Sequence, residues 1–115
     1  MAFVYKITTR TAWDAAYRVG RFEGAAIDLA DGYIHLSTAA QAAETARRHF
    51  SGDADLVLLR IDSRRLEGAA LRWEPSRGGE LFPHLYGPLD CALVEAVTPI
   101  ALAPDGRPRL GRLRS

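Results

Sequence analysis

One short stretch constrains the fold more than any other part of this chain. Residues 56–61 read LVLLRI, with a single polar side chain at Arg60. A run this short and this apolar is typical of a central strand that is covered on both faces. The chain must therefore supply two covering layers. Its 115 residues, of which 48% are hydrophobic, are enough for one domain with its own core.

The first third of the chain alternates between strand and helix patterns. Apolar and polar residues alternate over residues 3–7, which predicts a first strand. Thr11 is placed to cap a helix over residues 12–18, and Gly20 is placed to end it. Residues 21–32 are rich in glycine and aspartate and are predicted to form a loop.

The remaining elements complete a mixed fold. Residues 33–36 predict a second strand, and the pair Thr38 and Gln41 matches a capping box for a helix that ends near Phe50. Residues 71–74 and 91–97 predict further strands, the last of them closed by Pro99. Two main helices among more numerous strands indicate the α+β class with a strongly bent sheet.

Charge is distributed unevenly along the chain. Residues 1–103 are expected to form a single α+β domain, while residues 104–115 carry four arginines against one aspartate and are expected to be a basic, flexible tail. The tail can contact RNA or phosphate, or act as a solvated extension. A formal net charge of +1 for the whole chain gives only weak support for nucleic-acid binding.

Targeting signals are not evident. The first residues lack a cationic start followed by a long apolar stretch, and no run approaches the roughly 18 apolar residues of a membrane span. The lone Cys91 lies in an apolar run and is expected to be a small buried side chain. We therefore expect a cytoplasmic protein without membrane contact.

Two histidines lie in motifs that indicate a ligand site. His35 lies in GYIHLST and His84 in LFPHLYGP, each among apolar and aromatic neighbours with a hydroxyl two residues later, on Ser37 and Tyr86. Imidazole is the side chain whose charge changes nearest to neutral pH, so both histidines are candidate catalytic groups. The alternative is that each is a hydrogen-bonded histidine of the core.

The residues around these histidines are candidate ligand contacts. Ser37 and Thr38 stand at the start of a predicted helix, where free N–H groups favour a phosphate or carboxylate; equally, they can serve only as helix caps. Trp73 can stack on a base or pack in the core, and Glu74 can act as a general base. Arg77, in a glycine-rich loop, can bind a phosphate.

Several other site types find no support in the sequence. The spacing of Cys91 and the three histidines does not match a zinc site, so we expect no metal. Neither a P-loop nor a dinucleotide-binding glycine motif is present.

The motifs around His35, Trp73-Glu74 and His84 resemble a small bacterial family, domain of unknown function family 952. The resemblance extends over about residues 4–100. More distantly, residues 34–37 and the apolar strand that ends at Asp62 are similar to the RNA 2′-phosphotransferases of the ADP-ribosyltransferase superfamily.

This second resemblance implies an ADP-ribosyltransferase-like fold with a curved, split β-sheet and a cleft of the type that binds NAD. His35 and Ser37 would then lie where those enzymes hold their ligand. The first strand carries no histidine, unlike those enzymes, and their third-motif residue corresponds to Glu74, Glu80 or Glu95.

Three functions stay open at this point. The first is a transferase-like enzyme that binds a nucleotide or phosphorylated ligand, with NAD as its cofactor, and transfers ADP-ribose or phosphate; His35, Glu74 and His84 would be its catalytic residues, and Ser37, Thr38, Trp73, Arg77 and Tyr86 its ligand contacts. The second is a non-enzymatic binding module with a degenerate cleft, as the missing first-strand histidine suggests. The third is a structural protein whose histidines belong to the core.

Overall fold

The structure is a computed structural model that describes residues 3–66, 68 and 70–115, apart from the side chain of Arg77. Ten strands, three α-helices and three short 3-10 turns are assigned in these residues. In chain order, the strands and helices are β1 (Phe3–Thr9), α1 (Arg10–Val19), β2 (Arg21–Phe22), α2 (Ala26–Asp31), β3 (Ile34–His35), β4 (Ser37–Thr38), α3 (Ala39–Phe50), β5 (Leu56–Asp62), β6 (Leu71–Ser76), β7 (Glu80–Leu85), β8 (Leu89–Asp90), β9 (Val94–Leu102) and β10 (Pro108–Arg109).

Strand β5 lies at the centre of a five-stranded antiparallel sheet of order β10-β9-β5-β1-β4. Its side chains alternate between two apolar clusters. Val57, Leu59 and Ile61 belong to one cluster, and Leu56 and Leu58 belong to the other. The predicted central strand with two covered faces is therefore confirmed.

Different elements cover the two faces of this sheet. On the first face, Trp13 of α1 packs with Ile34, Leu85 and Leu89 from the smaller strands. On the second face, Ala46 of α3 packs with side chains of the main sheet, and residues 110 and 113 of the C-terminal segment cover the remainder. Each face of the sheet is thus covered by a helix, α1 on the first face and α3 on the second. The C-terminal segment covers the part of the second face that α3 leaves open.

Two smaller antiparallel sheets complete the first face. One pairs β2 with β8, and the other has the order β3-β7-β6. Leu36 alone connects β3 of the three-stranded sheet to β4 of the main sheet, and its N–H donates to the carbonyl of Pro83 over 3.0 Å. The protein is therefore a mixed α/β domain with a curled antiparallel sheet and three helices, which confirms the predicted α+β class.

The two longer helices were largely predicted from their caps. Thr38 and Gln41 form the predicted capping box, with bonds of 3.2 and 3.1 Å between each side chain and the other residue's N–H. Helix α1 begins earlier than predicted because Thr9, not Thr11, accepts the N–H of Ala12. Both helices end within a residue of their predicted positions.

The predicted loop over residues 21–32 was wrong, and so was the count of two helices. This segment contains β2 and the short helix α2. The carboxylate of Asp28 accepts the N–H of Ala25 over 2.8 Å and thereby stabilises the first turn of α2. Because the Asp28 side chain inside the helix makes this bond, and Ala25 at the N-cap position has no side chain that can cap, the sequence before α2 does not indicate the start of a helix.

The last long strand also differs from its prediction. Residues 91–93 form a 3-10 turn because Asp90 accepts the N–H of Ala92, and β9 begins only at Val94. The strand then passes through Pro99 instead of stopping there. Pro99 pairs with Val57 of β5, and β10 contacts β9 only beyond it, so the missing N–H of the proline breaks no bond to β10.

The C-terminal segment contacts the sheet along much of its length. Strand β10 pairs with the end of β9, and the Tyr5 hydroxyl donates to the carbonyl of Arg114 over 2.6 Å. These contacts do not test its flexibility in solution, which stays a prediction. No helix in the described ranges has the length and apolar character that crossing a bilayer requires.

Candidate functional site: a carboxylate-bound histidine pair

The register of the three-stranded sheet brings the two candidate histidines together. His35 of β3 pairs directly with His84 of β7, and antiparallel partners project from the same face of a sheet. Their ring centroids lie 5.7 Å apart in an edge-to-face arrangement. Arg72 of β6 is the partner of His84 on the other side and shares this face.

Both ring nitrogens of His35 contact carboxylates. Nδ1 lies 2.6 Å from Oδ1 of Asp28, and Nε2 lies 2.9 Å from Oδ2 of Asp31. An ionised carboxylate only accepts hydrogen bonds, so both contacts are satisfied together when His35 is the doubly protonated imidazolium. The geometry thus fits a charged His35 held between two acids.

Asp28 is the buried anchor of this arrangement. Its side chain is 1% exposed, and it bonds the His35 ring and N–H as well as Nζ of Lys6, which lies 2.8 Å from Oδ2. Burial alone would raise the pKa of Asp28, but the bond from His35 and the charge of Lys6 outweigh burial and lower it. Burial likewise lowers the pKa of Lys6, with Asp28 opposing the shift.

A glycine makes room for Asp28. Gly24 has φ +116°, and a Cβ built on it would lie 2.7 Å from Cβ of Asp28. No larger residue fits there unless the loop or helix α2 moves. The sequence thus places the smallest residue beside the buried carboxylate.

His84 has a different environment from His35. It is 4% exposed, and its Nδ1 lies 2.8 Å from Oε1 of Glu74, which also accepts the Tyr86 hydroxyl over 2.7 Å. The bonds from His84 and then Tyr86 lower the pKa of Glu74, and the same carboxylate raises the pKa of Tyr86. Glu74 is therefore ionised at neutral pH and fixes the His84 ring.

The second ring nitrogen of His84 is available. Within the described part of the chain, Nε2 has no hydrogen-bond partner. No buried polar side-chain atom in that part lacks a partner, so Nε2 reaches solvent. In the neutral imidazole, the nitrogen that faces a carboxylate carries the proton, so the lone pair is then on Nε2.

Tyr33 packs against all three rings of this group. Its ring stacks on His84 at 4.1 Å and lies 4.6 Å from His35 and 5.2 Å from Tyr86, centroid to centroid. Burial raises the pKa of Tyr33, so its hydroxyl stays protonated at neutral pH. We refer to Tyr33, His35, Glu74, His84 and Tyr86 as the histidine cluster.

A surface pocket adjoins the histidine cluster. It has a volume of about 220 Å³, and Asp28 and Tyr33 contribute to its wall. Its other lining residues include Glu23, Leu29, Gly87 and Pro88. The described residues contain no group of three or more histidine, cysteine and acidic side chains placed to bind a metal ion.

The predicted site residues divide into two groups. The structure brings His35, Glu74, His84 and Tyr86 together, and it does not bring in Ser37, Thr38 or Trp73. The Ser37 hydroxyl contacts that of Thr45 over 3.0 Å, and Thr38 caps α3. Trp73 is on the opposite face of β6 from Glu74 and is 42% exposed. The side chain of Arg77 lies outside the described residues, so its role stays a prediction.

Sequence reasoning missed several residues around the cluster. Asp28 and Asp31 were assigned only to a loop, and Lys6 and Tyr33 only to strands. Arg72 could have been found, because strand residues two apart share a face and Arg72 precedes Glu74 by two. Its guanidinium lies 4.8 Å from the Tyr86 ring centroid.

Comparisons with known proteins identify the family. Residues 7–97 match the family described as Protein of unknown function (DUF952). A search of curated proteins found no match.

The chain is also similar to solved structures of protein CC0527 from Caulobacter crescentus. Its crystal structure is 52% identical, with a TM-score of 0.90 and 93% of each chain covered. A double mutant of that protein gives 51% identity with the same TM-score and coverage. Its solution NMR structure gives 53% identity and a TM-score of 0.85, with 96% of this chain and 95% of that chain covered. The family match, which extends over residues 7–97, shows that the chain belongs to the DUF952 family.

Proposed function

We propose that the histidine cluster binds a nucleotide or another small phosphorylated ligand and that His84 is a general base for a ligand hydroxyl. One observation carries this proposal: Glu74 holds Nδ1 of His84, while Nε2 has no partner among the described residues and reaches solvent. A carboxylate that fixes one imidazole nitrogen leaves the other as a proton acceptor in a set direction.

The charge of the cluster favours a ligand with a small net negative charge, of which one phosphate group contacts Arg72. Asp28 and Asp31 contact His35, and Glu74 contacts His84, so three carboxylates lie at or beside the cluster. Arg72 lies over the Tyr86 ring and has no carboxylate partner in the described chain. One unpaired guanidinium is suited to a single phosphate group.

The reaction proposed for this site is transfer to a hydroxyl. Nε2 of His84 would take the proton of the acceptor hydroxyl while its oxygen bonds to the transferred group and the bond from that group to its leaving group breaks; with NAD the leaving group would be nicotinamide. Glu74 would stabilise the resulting imidazolium. His35 is held between two acids, and its ring lies beside the reacting group.

An ADP-ribosyltransferase-like fold is part of this proposal, with NAD as the cofactor to test first. The similarity of residues 34–37 to the RNA 2′-phosphotransferases supports it, as does the curled antiparallel sheet of the domain. The rings of Tyr33 and Tyr86 are suited to a base, and Arg72 to a phosphate. When bound, NAD would supply the ADP-ribose that is transferred.

A second function, a binding module without catalysis, is favoured by the state of His35. Both of its ring nitrogens already contact carboxylates, so His35 has no free position for proton transfer. The first strand also lacks the histidine expected of the transferases. Under this alternative, ligand binds at the cluster and leaves unchanged.

Ligand titrations monitored by NMR test the proposal. The probes are NAD, ADP-ribose, AMP and a 2′-phosphorylated oligonucleotide, added to the wild type and to the variants His84→Gln and Tyr33→Leu. We expect saturable amide shifts confined to residues near the cluster and at least about tenfold weaker binding in Tyr33→Leu, which removes the stacking ring. Mass spectrometry of the same samples detects product.

The matched control is His49→Gln, which changes an exposed histidine on α3. Product formation by the wild type and the control, but not by His84→Gln, supports the enzyme. Saturable binding without product supports the binding module. If no probe shifts the cluster, or if His49→Gln weakens binding as much as Tyr33→Leu, the site is misassigned.

A further inference from the structure

A second cavity lies on the other face of the main sheet. It has a volume of about 210 Å³ and is formed between the sheet and residues 109–114 of the C-terminal segment. Its floor is mainly apolar, with Leu58 of β5 and Ala96, Pro99 and Ile100 of β9, and it also includes Tyr5 and Thr98. None of its lining residues belongs to the histidine cluster, so this cavity is a separate site.

The wall of this cavity is strongly basic. Four of its lining residues are arginines: Arg60, Arg109, Arg112 and Arg114. Arg60 bonds Glu95 over 3.0 Å, and no other ion pair to these four occurs in the part of the chain that the structure describes. We refer to this cavity as the arginine pocket.

The C-terminal segment contacts the sheet through apolar and polar groups. Leu110 and Leu113 pack on the sheet, and the Arg114 carbonyl accepts the Tyr5 hydroxyl. Arg114 also lies over the ring of Phe3, with its guanidinium carbon 5.6 Å from the centroid. The three tail arginines thus lie on a segment that contacts the sheet, and all three line the cavity.

We propose that the arginine pocket binds a phosphate monoester with an apolar body. Three guanidinium groups without carboxylate partners call for an anion of more than one charge, and a phosphate monoester carries about −1.5 to −2 at pH 7. Guanidinium groups also match phosphate oxygens bidentately. The apolar residues of the floor favour a ligand with an apolar body, because an ion without an apolar part makes no favourable contact with them.

A compact ligand fits this cavity better than a nucleic-acid strand. The arginine pocket is a concave cavity of about 210 Å³ between the sheet and the C-terminal segment. A phosphate backbone needs a row of cations on an open face instead.

Phenyl phosphate is the probe for this proposal, with inorganic phosphate, phenol and a short single-stranded RNA as comparisons. Binding is followed by amide NMR shifts in the wild type and in Arg112→Gln, Arg114→Gln and Arg107→Gln. Arg107→Gln is the matched control, because Arg107 lies on the same segment and outside the cavity, and it pairs with Asp105 over 3.4 Å.

We expect phenyl phosphate to shift amides that line the cavity and to bind at least about tenfold more weakly in Arg112→Gln and Arg114→Gln, with little change in Arg107→Gln. Weaker binding of inorganic phosphate and of phenol supports the two-part ligand. Equal affinity for inorganic phosphate overturns the role of the floor. No shift with phenyl phosphate overturns the site, as does RNA binding that all three variants weaken equally.

Discussion

Tyr5 and Lys6 are neighbours on β1 and point to two very different regions. Lys6 reaches Asp28 beneath the histidine cluster, where each carboxylate contacts a cation or an imidazole. Tyr5 lines the arginine pocket, where three arginines have no carboxylate partner in the described ranges. Each carboxylate of the first region thus has a partner, whereas three arginines of the second have none among the described residues.

This difference follows from burial. Lys6 and Asp28 are 4% and 1% exposed, and an unpaired charge at such a site would be very costly, so folding requires that they pair. The tail arginines are exposed and stay hydrated, so the fold tolerates them without partners. The buried cluster is organised before a ligand arrives, while the arginine pocket gains its counter-charge from a ligand.

The largest effect on the free energy of unfolding is expected from Asp28→Asn, which removes the carboxylate that pairs with Lys6 and His35. It leaves Lys6 buried without a counter-charge and removes the anchor of His35. We expect the free energy of unfolding, measured with urea, to fall by about 3–5 kcal/mol. Adding Lys6→Met should recover part of the loss, because no buried charge then remains.

The control for this experiment is Asp31→Asn. Asp31 also contacts His35, but its side chain is 45% exposed. Its loss should cost less than about 1 kcal/mol. Equal losses for the two asparagine variants would contradict the proposed difference between buried and exposed partners of His35.

Acid should weaken the same region without any mutation. The pKa of Asp28 is lower in the folded chain than in the unfolded chain, where it lies near 3.9. Its stabilising contribution is therefore fully present above that value and is lost as pH falls through the folded pKa, since the unfolded state binds more protons in that window. Urea unfolding between pH 7 and pH 3 should show a smaller decline below about pH 4 for Asp28→Asn than for the wild type. Parallel profiles would contradict this.

The smallest effects on the free energy of unfolding are expected from substitutions in the arginine pocket. Leu113→Ala removes a partly buried side chain that fixes the C-terminal segment, and it should cost about 1 kcal/mol of unfolding free energy. Arg112→Gln removes only an exposed charge and should change that free energy by less than about 0.5 kcal/mol. A larger loss for Arg112→Gln than for Leu113→Ala would mean that the arginine is itself a structural contact.

The parts of the fold that depend on local patterns could be predicted from the sequence. The apolar run over residues 56–61 indicated β5, and Thr38 with Gln41 indicated the start of α3. Helix α2 could not be predicted in this way, because its first turn depends on the Asp28 side chain. The position of Asp28 is in turn fixed by His35, which lies beyond the helix, and by Lys6, which is 22 residues away in sequence.

The candidate site was predicted only in part, for the same reason. Histidines with aromatic and hydroxyl neighbours marked His35 and His84 as candidates, and Glu74 was assigned an acid–base role. That they meet depends on the pairing of β3 with β7, two strands from distant parts of the chain. Ser37 follows His35 by two residues, but the chain has changed sheets at Leu36 between them, so the rule that alternate residues share a face does not apply.

That single-residue passage at Leu36 has a mechanical consequence. Leu36 is 2% exposed, and its N–H is hydrogen-bonded to Pro83, so the connection between the two sheets is short and tightly packed. A rotation of one sheet relative to the other about this connection is not expected, because the dihedral angles of one packed residue would have to absorb the whole motion. The cluster therefore has no hinge at this joint, and a ligand would be accommodated by side-chain rotation on a rigid frame.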